Sequence, residues 1–89
     1  MKIKLELFGA SRDFSNKDHI EFQIKEKTEI KDFRKKIIYY LEKNFKGNEG
    51  FKKIVETSAF CSEDNNIISD NYIISEDQKI GIIPPIGGG

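Results

Sequence analysis

Ile80-Gly81-Ile82-Ile83-Pro84-Pro85-Ile86-Gly87-Gly88-Gly89 ends the sequence, and its first four residues are apolar on both sides of a strand. A strand of that kind is covered on both faces, so it belongs in the middle of a sheet. The two prolines then stop it, because neither can donate a ladder hydrogen bond and each holds φ at about −65°. They also send the following residues outward as a stiff, extended segment. Beyond Pro85 come one apolar side chain, Ile86, and then bare backbone. At about 3.1 to 3.5 Å per residue, that segment carries the last carboxylate roughly 12 to 14 Å from the sheet.

The partners of this central strand lie upstream. Ile3, Leu5 and Leu7 alternate with Lys4 and Glu6, the period-two pattern of a strand with one buried face. A polar, glycine-containing stretch over residues 9–18 leads to Ile20, Phe22 and Ile24, which alternate with Glu21, Gln23 and Lys25. These two strands form a hairpin. From Thr28 the spacing changes to Ile30, Phe33, Ile37 and Leu41, one face of a helix with Ile38 and Phe45 at its margins. Thr28 is the expected N-cap, Glu29 and Asp32 suit the positive end of the helix dipole, and Lys43 and Lys46 suit the other. Gly47 is the expected stop. Residues 54–61 read as a strand whose face is ambiguous, Ile67 and Ile68 as a short strand, and Tyr72, Ile73 and Ile74 as a further segment between polar turns.

Strand, strand, helix, strand, short strand and buried final strand make an α+β fold of the β-grasp type. It has a mixed sheet of four to five strands, one main helix on one face, and the last strand parallel to the first in the middle. Residues 1–83 form the domain and 84–89 an extended tail. Phe8 and Ile83 are then expected at the same end of the sheet as the tail.

With 89 residues, 37% apolar and 34% charged, the chain has room for one core. Such a domain removes only about 60 to 65% of its unfolded surface from water, which disfavours a self-contained enzyme pocket. Fifteen basic and fifteen acidic residues balance, so no long-range field favours nucleic acid or anionic lipid. The basic run from Lys31 to Lys43 is broken by Asp32 and Glu42 and reads as a solvated helical face. One cysteine, Cys61, excludes an internal disulfide and a cysteine zinc cluster. With no His, Lys or Arg near it in sequence, it reads as an inert, partly buried thiol. No apolar run approaches the length of about 20 residues that spans a bilayer, and residues 1–8 lack the character of a signal peptide. The expected location is the cytoplasm. His19 stands alone, and Glu63, Asp64, Glu76 and Asp77 lack calcium-loop spacing, so no metal site is expected.

The tail suits a terminus that threads a narrow channel in another protein. The prolines limit the ordering entropy at its root, and glycine lets channel walls come close. A free carboxylate is a poor electrophile, so acyl chemistry at Gly89 requires activation by a partner. The chain has no glycine-rich phosphate loop of its own.

The ending Ile80-Gly-Ile-Ile-Pro-Pro-Ile-Gly-Gly-Gly89 resembles that of the molybdopterin synthase small subunit, a ubiquitin-like sulfur carrier. Members of that family close with an apolar strand, Pro-Pro, one apolar residue, one small residue and Gly-Gly. Gly87 stands in the small-residue position. The opening Leu5-Glu-Leu-Phe-Gly-Ala-Ser-Arg12 is similar to the family's first strand and turn, with Phe8 and Arg12 at matching places. Two departures stand out: residues 62–71 are longer and more polar than usual, and Gly81 occupies a place where a side chain is common. The resemblance implies a carrier with no catalytic pocket of its own. A ubiquitin-activating-type adenylyltransferase uses ATP to adenylate Gly89, and sulfur replaces oxygen to leave a thiocarboxylate. The large subunit of molybdopterin synthase, in a heterotetramer, receives the tail and passes its sulfur to a pterin precursor. On this resemblance Gly89 carries sulfur, and Pro84, Pro85, Ile86, Gly87 and Gly88 form the tail that enters the partner's channel. Phe8, Arg12 and Ile83 dock the partner. The chain itself binds no cofactor.

Other carriers of this fold, serving thiamine synthesis or transfer-RNA thiolation, also end in Gly-Gly but match the Pro-Pro pair less well. A protein modifier joined to lysines through Gly89 begins with the same activation. A plain interaction module with an idle tail is a third reading, as is a frayed terminus.

Overall fold

The computed structural model describes residues 1–46 and 48–86. Strand β1 (Lys2–Leu7) is followed by a 3-10 helix (Gly9–Phe14), β2 (His19–Gln23), β3 (Thr28–Glu29) and helix α1 (Ile30–Asn44). Then come α2 (Glu49–Thr57), β4 (Ala59–Cys61), β5 (Ile67–Ile68), β6 (Ile73–Ile74) and β7 (Gln78–Ile83). The main sheet runs β2-β1-β7-β4-β5. Its centre is the expected parallel pair, in register from Ile3 opposite Gln78 to Leu7 opposite Ile82, while β1 with β2, β7 with β4 and β4 with β5 are antiparallel.

Alternation along each strand sends Ile3, Leu5, Leu7, Ile80 and Ile82 to one face, where Phe33, Ile37 and Leu41 of α1 cover them. Phe33 lies between the rings of Phe22 (5.4 Å between centroids, edge-on) and Phe60 (6.4 Å). Helix and sheet thus bury a single core, as the period-two and period-3.6 patterns require.

The helical layer has a second member. The expected strand over 54–61 is instead α2 followed by a three-residue β4. Asn48 caps α2, its side-chain oxygen accepting from the Phe51 amide at 3.1 Å. Phe51, Ile54 and Val55 face inward at helical spacing. Phe51 packs 5.0 Å from Phe14 of the 3-10 helix and 5.1 Å from Phe45. The polar stretch after β1 is therefore no open turn, since Phe14 is fully buried beneath α2.

The start of α1 also departs from expectation. Thr28 belongs to β3, and its hydroxyl donates to the Glu26 carbonyl rather than capping the helix. Glu29 is the N-cap and offers no side-chain bond. The first amides are taken by backbone carbonyls of the turn between β5 and β6: Ile30 N–H donates to Tyr72 (2.9 Å) and Lys31 N–H to Asp70 (3.1 Å). The small β3–β6 sheet holds that turn in place. Arg34 reinforces the junction, donating to the Val55 and Ser58 carbonyls (2.7 and 2.8 Å), pairing with Asp70 (2.7 Å) and stacking over Phe60. The long polar segment 62–71 therefore completes a helix end. Helix α1 finishes at Asn44, where the Phe45 amide reaches the Leu41 carbonyl. Gly47, the expected stop, lies outside the described residues.

Candidate functional site

The parallel pairing of β1 and β7 brings the carboxyl ends of both strands to one end of the sheet. Phe8 leaves β1 there beside Ile83, the last residue of β7, and the tail departs from the same place. Both side chains project from the face opposite the core, Phe8 with 39% and Ile83 with 36% of their surface exposed.

Local chemistry holds Phe8 in position. The Ser11 hydroxyl is buried, accepts from the Phe8 amide at 2.9 Å and donates to the Phe8 carbonyl at 2.6 Å. Between them Gly9 turns the chain with φ of +56°, a conformation that a side chain disfavours. This explains the order Phe-Gly-x-Ser after the first strand.

The Phe8 ring lies over Gly81. A Cβ built on Gly81 would sit 2.9 Å from the ring and 2.7 Å from the Cys61 sulfur, both inside contact distance. Gly81 thus makes room for two neighbours, the role that glycine has inside a strand where another group approaches closely. Cys61 is a free, buried thiol beneath this arrangement. Register places Ala59 opposite Ile83, Cys61 opposite Gly81, and Ile67 opposite Cys61. The outer face at the tail end is consequently apolar, with Ile67 two-thirds exposed. Further down the same face the surface turns polar, with Lys79 and Glu6 3.7 Å apart. The sequence places Phe8 and Ile83 at this end through the expected parallel strands, flags Gly81 as a place where a side chain is common and reads Cys61 as an inert thiol, but it singles out neither Ala59 nor Ile67. The one usable signal was a glycine without a turn in an otherwise bulky strand.

Arg12 sits exposed on the 3-10 helix. Pro84 is buried and packs near the Gly9 turn, so the exposed chain begins at Pro85 and continues with Ile86, which is fully exposed. Gly87, Gly88 and Gly89 lie outside the described residues. Near the same end, the Leu7 amide donates to the carbonyl of Asp18. The Asp18 carboxyl is held below the usual carboxylate range by its hydrogen bond with the His19 ring, 2.8 Å away. Among the described residues no three His, Cys, Asp or Glu side chains could hold a metal ion. No described helix is long and apolar enough to cross a membrane.

No family model matches the sequence, and no curated protein matches it significantly. Solved structures do share its architecture. One, from Pyrococcus furiosus, is described as "Putative molybdopterin converting factor, subunit 1": the TM-score is 0.69 at 22% identity, over 96% of this chain and 98% of that one. Another is SAMP1 from Haloferax volcanii, with a TM-score of 0.68 at 11% identity over the whole of both chains. The fold is that of the ubiquitin-like β-grasp proteins.

Proposed function

We propose that the chain is a sulfur carrier whose working group is the carboxyl of Gly89, acting as the small subunit of a molybdopterin synthase. The observation that carries this reading is the central parallel pair. It sends the chain out of the sheet next to exposed Phe8 and Ile83, so a protein that binds this apolar end also receives the tail. The likeness in fold to a protein described as a molybdopterin converting factor subunit supports the same reading.

The chemistry is divided between chains. In an adenylyltransferase of the ubiquitin-activating type, a Gly89 carboxylate oxygen attacks the α-phosphorus of ATP and pyrophosphate leaves. The outer sulfur of a donor persulfide then displaces AMP from the acyl carbon, and a thiol attacks the donor sulfur of the resulting acyl disulfide, forming a disulfide with the donor and leaving a thiocarboxylate. At neutral pH its sulfur is anionic and still nucleophilic, as thiolates are, and it is spent on the pterin precursor inside the large subunit. This chain's own contribution is positional. Pro84 packs onto the body, Pro85 restricts the root of the tail, Ile86 provides one apolar anchor, and three glycines offer no side chain to obstruct a channel.

Intact-protein mass spectrometry tests this directly. With ATP, a sulfur donor and the cognate adenylating enzyme, the chain should gain the mass of one oxygen-to-sulfur exchange, mapped to Gly89, and a variant lacking Gly89 should gain nothing. The likeness to SAMP1 fits a second reading, a ubiquitin-like modifier. Isopeptide links from Gly89 to lysines of other proteins, with no thiocarboxylate, would select it.

A further inference from the structure

On the opposite side of the main sheet from β5, strand β2 is the outermost strand and, among the described residues, pairs only with β1. The phase of its pairing is set at both ends. Ile24 N–H donates to the Met1 carbonyl and Leu7 N–H to the Asp18 carbonyl, each at 2.9 Å. In an antiparallel ladder such bonded positions alternate, so Ile20 and Phe22 also face β1. The backbone N–H and C=O groups of His19, Glu21 and Gln23 therefore point outward along the free edge. No proline or bulge interrupts them, although exposed edges are commonly blunted by such devices.

A groove runs beside this edge, between β2 and α1. It consists of three hollows of about 620, 610 and 470 Å³. The first two share Tyr40 and Asn44, and the second and third share Gln23, Asp32 and Lys36, so they run on into one another. The middle one is lined by aromatic rings. Phe22 and Tyr40 meet edge-on at 5.6 Å, and Tyr39, 61% exposed, lies under the Lys43 ammonium at 5.0 Å.

Charge is unevenly placed although the chain is neutral overall. Lys17, Lys25, Lys27, Lys35, Lys36 and Lys43 line the groove, against only Glu21, Glu26 and Asp32. Asp32 is already engaged with Lys35 at 3.8 Å. Glu63, Asp64, Glu76 and Asp77 gather instead around a hollow between the β4–β5 turn and the start of β7.

We propose that this edge and groove dock an extended peptide segment of a partner protein, with alternating apolar residues and acidic flanks. The segment adds a strand to β2, exchanging hydrogen bonds with the outward backbone groups of His19, Glu21 and Gln23. Alternate side chains fall toward α1 onto Phe22, Tyr39 and Tyr40, and the flanking carboxylates meet the lysines. A second copy of this chain is a poor occupant, because pairing β2 with β2 sets the same lysines against each other. The hollows share no lining residue with Phe8, Ile83 or Pro84, and β1 lies between β2 and the strand that carries the tail.

The test uses the full chain and a blocked synthetic peptide of four alternating valines and isoleucines with two aspartates at each end. NMR titration should shift signals along β2 and α1 and slow amide exchange at His19, Glu21 and Gln23. A lysine-flanked peptide with the same core should bind about tenfold more weakly, and Lys36→Glu with Lys43→Glu should reverse that preference. Glu21→Pro removes an outward amide without breaking a bond to β1 and should abolish binding. Should that variant fail to fold, N-methylation of the peptide's alternate amides applies the same block from the ligand side. Removing Gly87, Gly88 and Gly89 should leave binding unchanged, which separates this site from the carrier reading. The proposal is overturned by shifts centred on Phe8 and Ile83, by equal binding of the lysine-flanked or N-methylated peptide, or by loss of binding with the tail. Self-association of the free chain through the same amides also overturns it.

Discussion

On the core side of β7, Ile80 and Ile82 have no exposed surface, and each fills space between the sheet and α1. One residue further along, the other side of the same strand carries a glycine roofed by a phenylalanine ring and an isoleucine open to solvent. The inner face can be judged by volume, since every methyl group has neighbours on all sides. The outer face is organised around a missing side chain: at Gly81 the Phe8 ring and the Cys61 sulfur come so close that a Cβ would meet both. One strand therefore serves stability on one face and presentation on the other.

Three substitutions probe that division, beginning with the largest effect. Ile82→Ala leaves a cavity in the fully enclosed face and should lower stability by about 3 to 4 kcal/mol in urea unfolding. A loss under about 1.5 kcal/mol would mean that the inner face repacks and the contrast is weaker than described. Gly81→Ala puts a Cβ into the Cys61 sulfur and the Phe8 ring, an overpacking that should cost about 1 to 2 kcal/mol after the gain from stiffening the unfolded chain. In a Phe8→Ala background the cost should shrink, and a double-mutant cycle with no coupling would refute the close approach. Ile83→Ala, on the open face, should change stability by about 1 kcal/mol or less while weakening binding of any partner that covers the tail end. A cost matching that of Ile82→Ala would break the comparison.

How much could be read beforehand followed from how local each cause was. Alternation in β1 and β2, the spacing from Ile30 to Leu41, and the apolar run ended by Pro84 all depend on which residues neighbour one another along the chain, and each was legible. Helix α2 is less legible, although Asn48, Phe51, Ile54 and Val55 carry a cap and helical spacing. Gly50 and the β-branched pair Ile54-Val55 favoured a loop and a strand, and burial against Phe14 overrides those local preferences. Thr28 has the side chain of a cap, which is a local device, yet it does not cap α1. The helix's first amides are satisfied by carbonyls some forty residues away, which no nearby residue announces. In the sequence Arg34 is one more charge on a solvated helical face, whereas in the fold it bonds to Val55, Ser58 and Asp70.

At the candidate site the division is the same. Residue order alone determined that an apolar strand ends at two prolines and leads to a tail of Ile86 and glycines, because φ restriction and side-chain absence are properties of single residues. Only the folded chain decided that Phe8 roofs Gly81, that Cys61 lies beneath them, that Pro84 stays with the body, and that lysines far apart in sequence line one groove beside β2. Those facts depend on strand order and register, and contacts between distant segments are chosen by the energy of the whole core rather than by any local pattern.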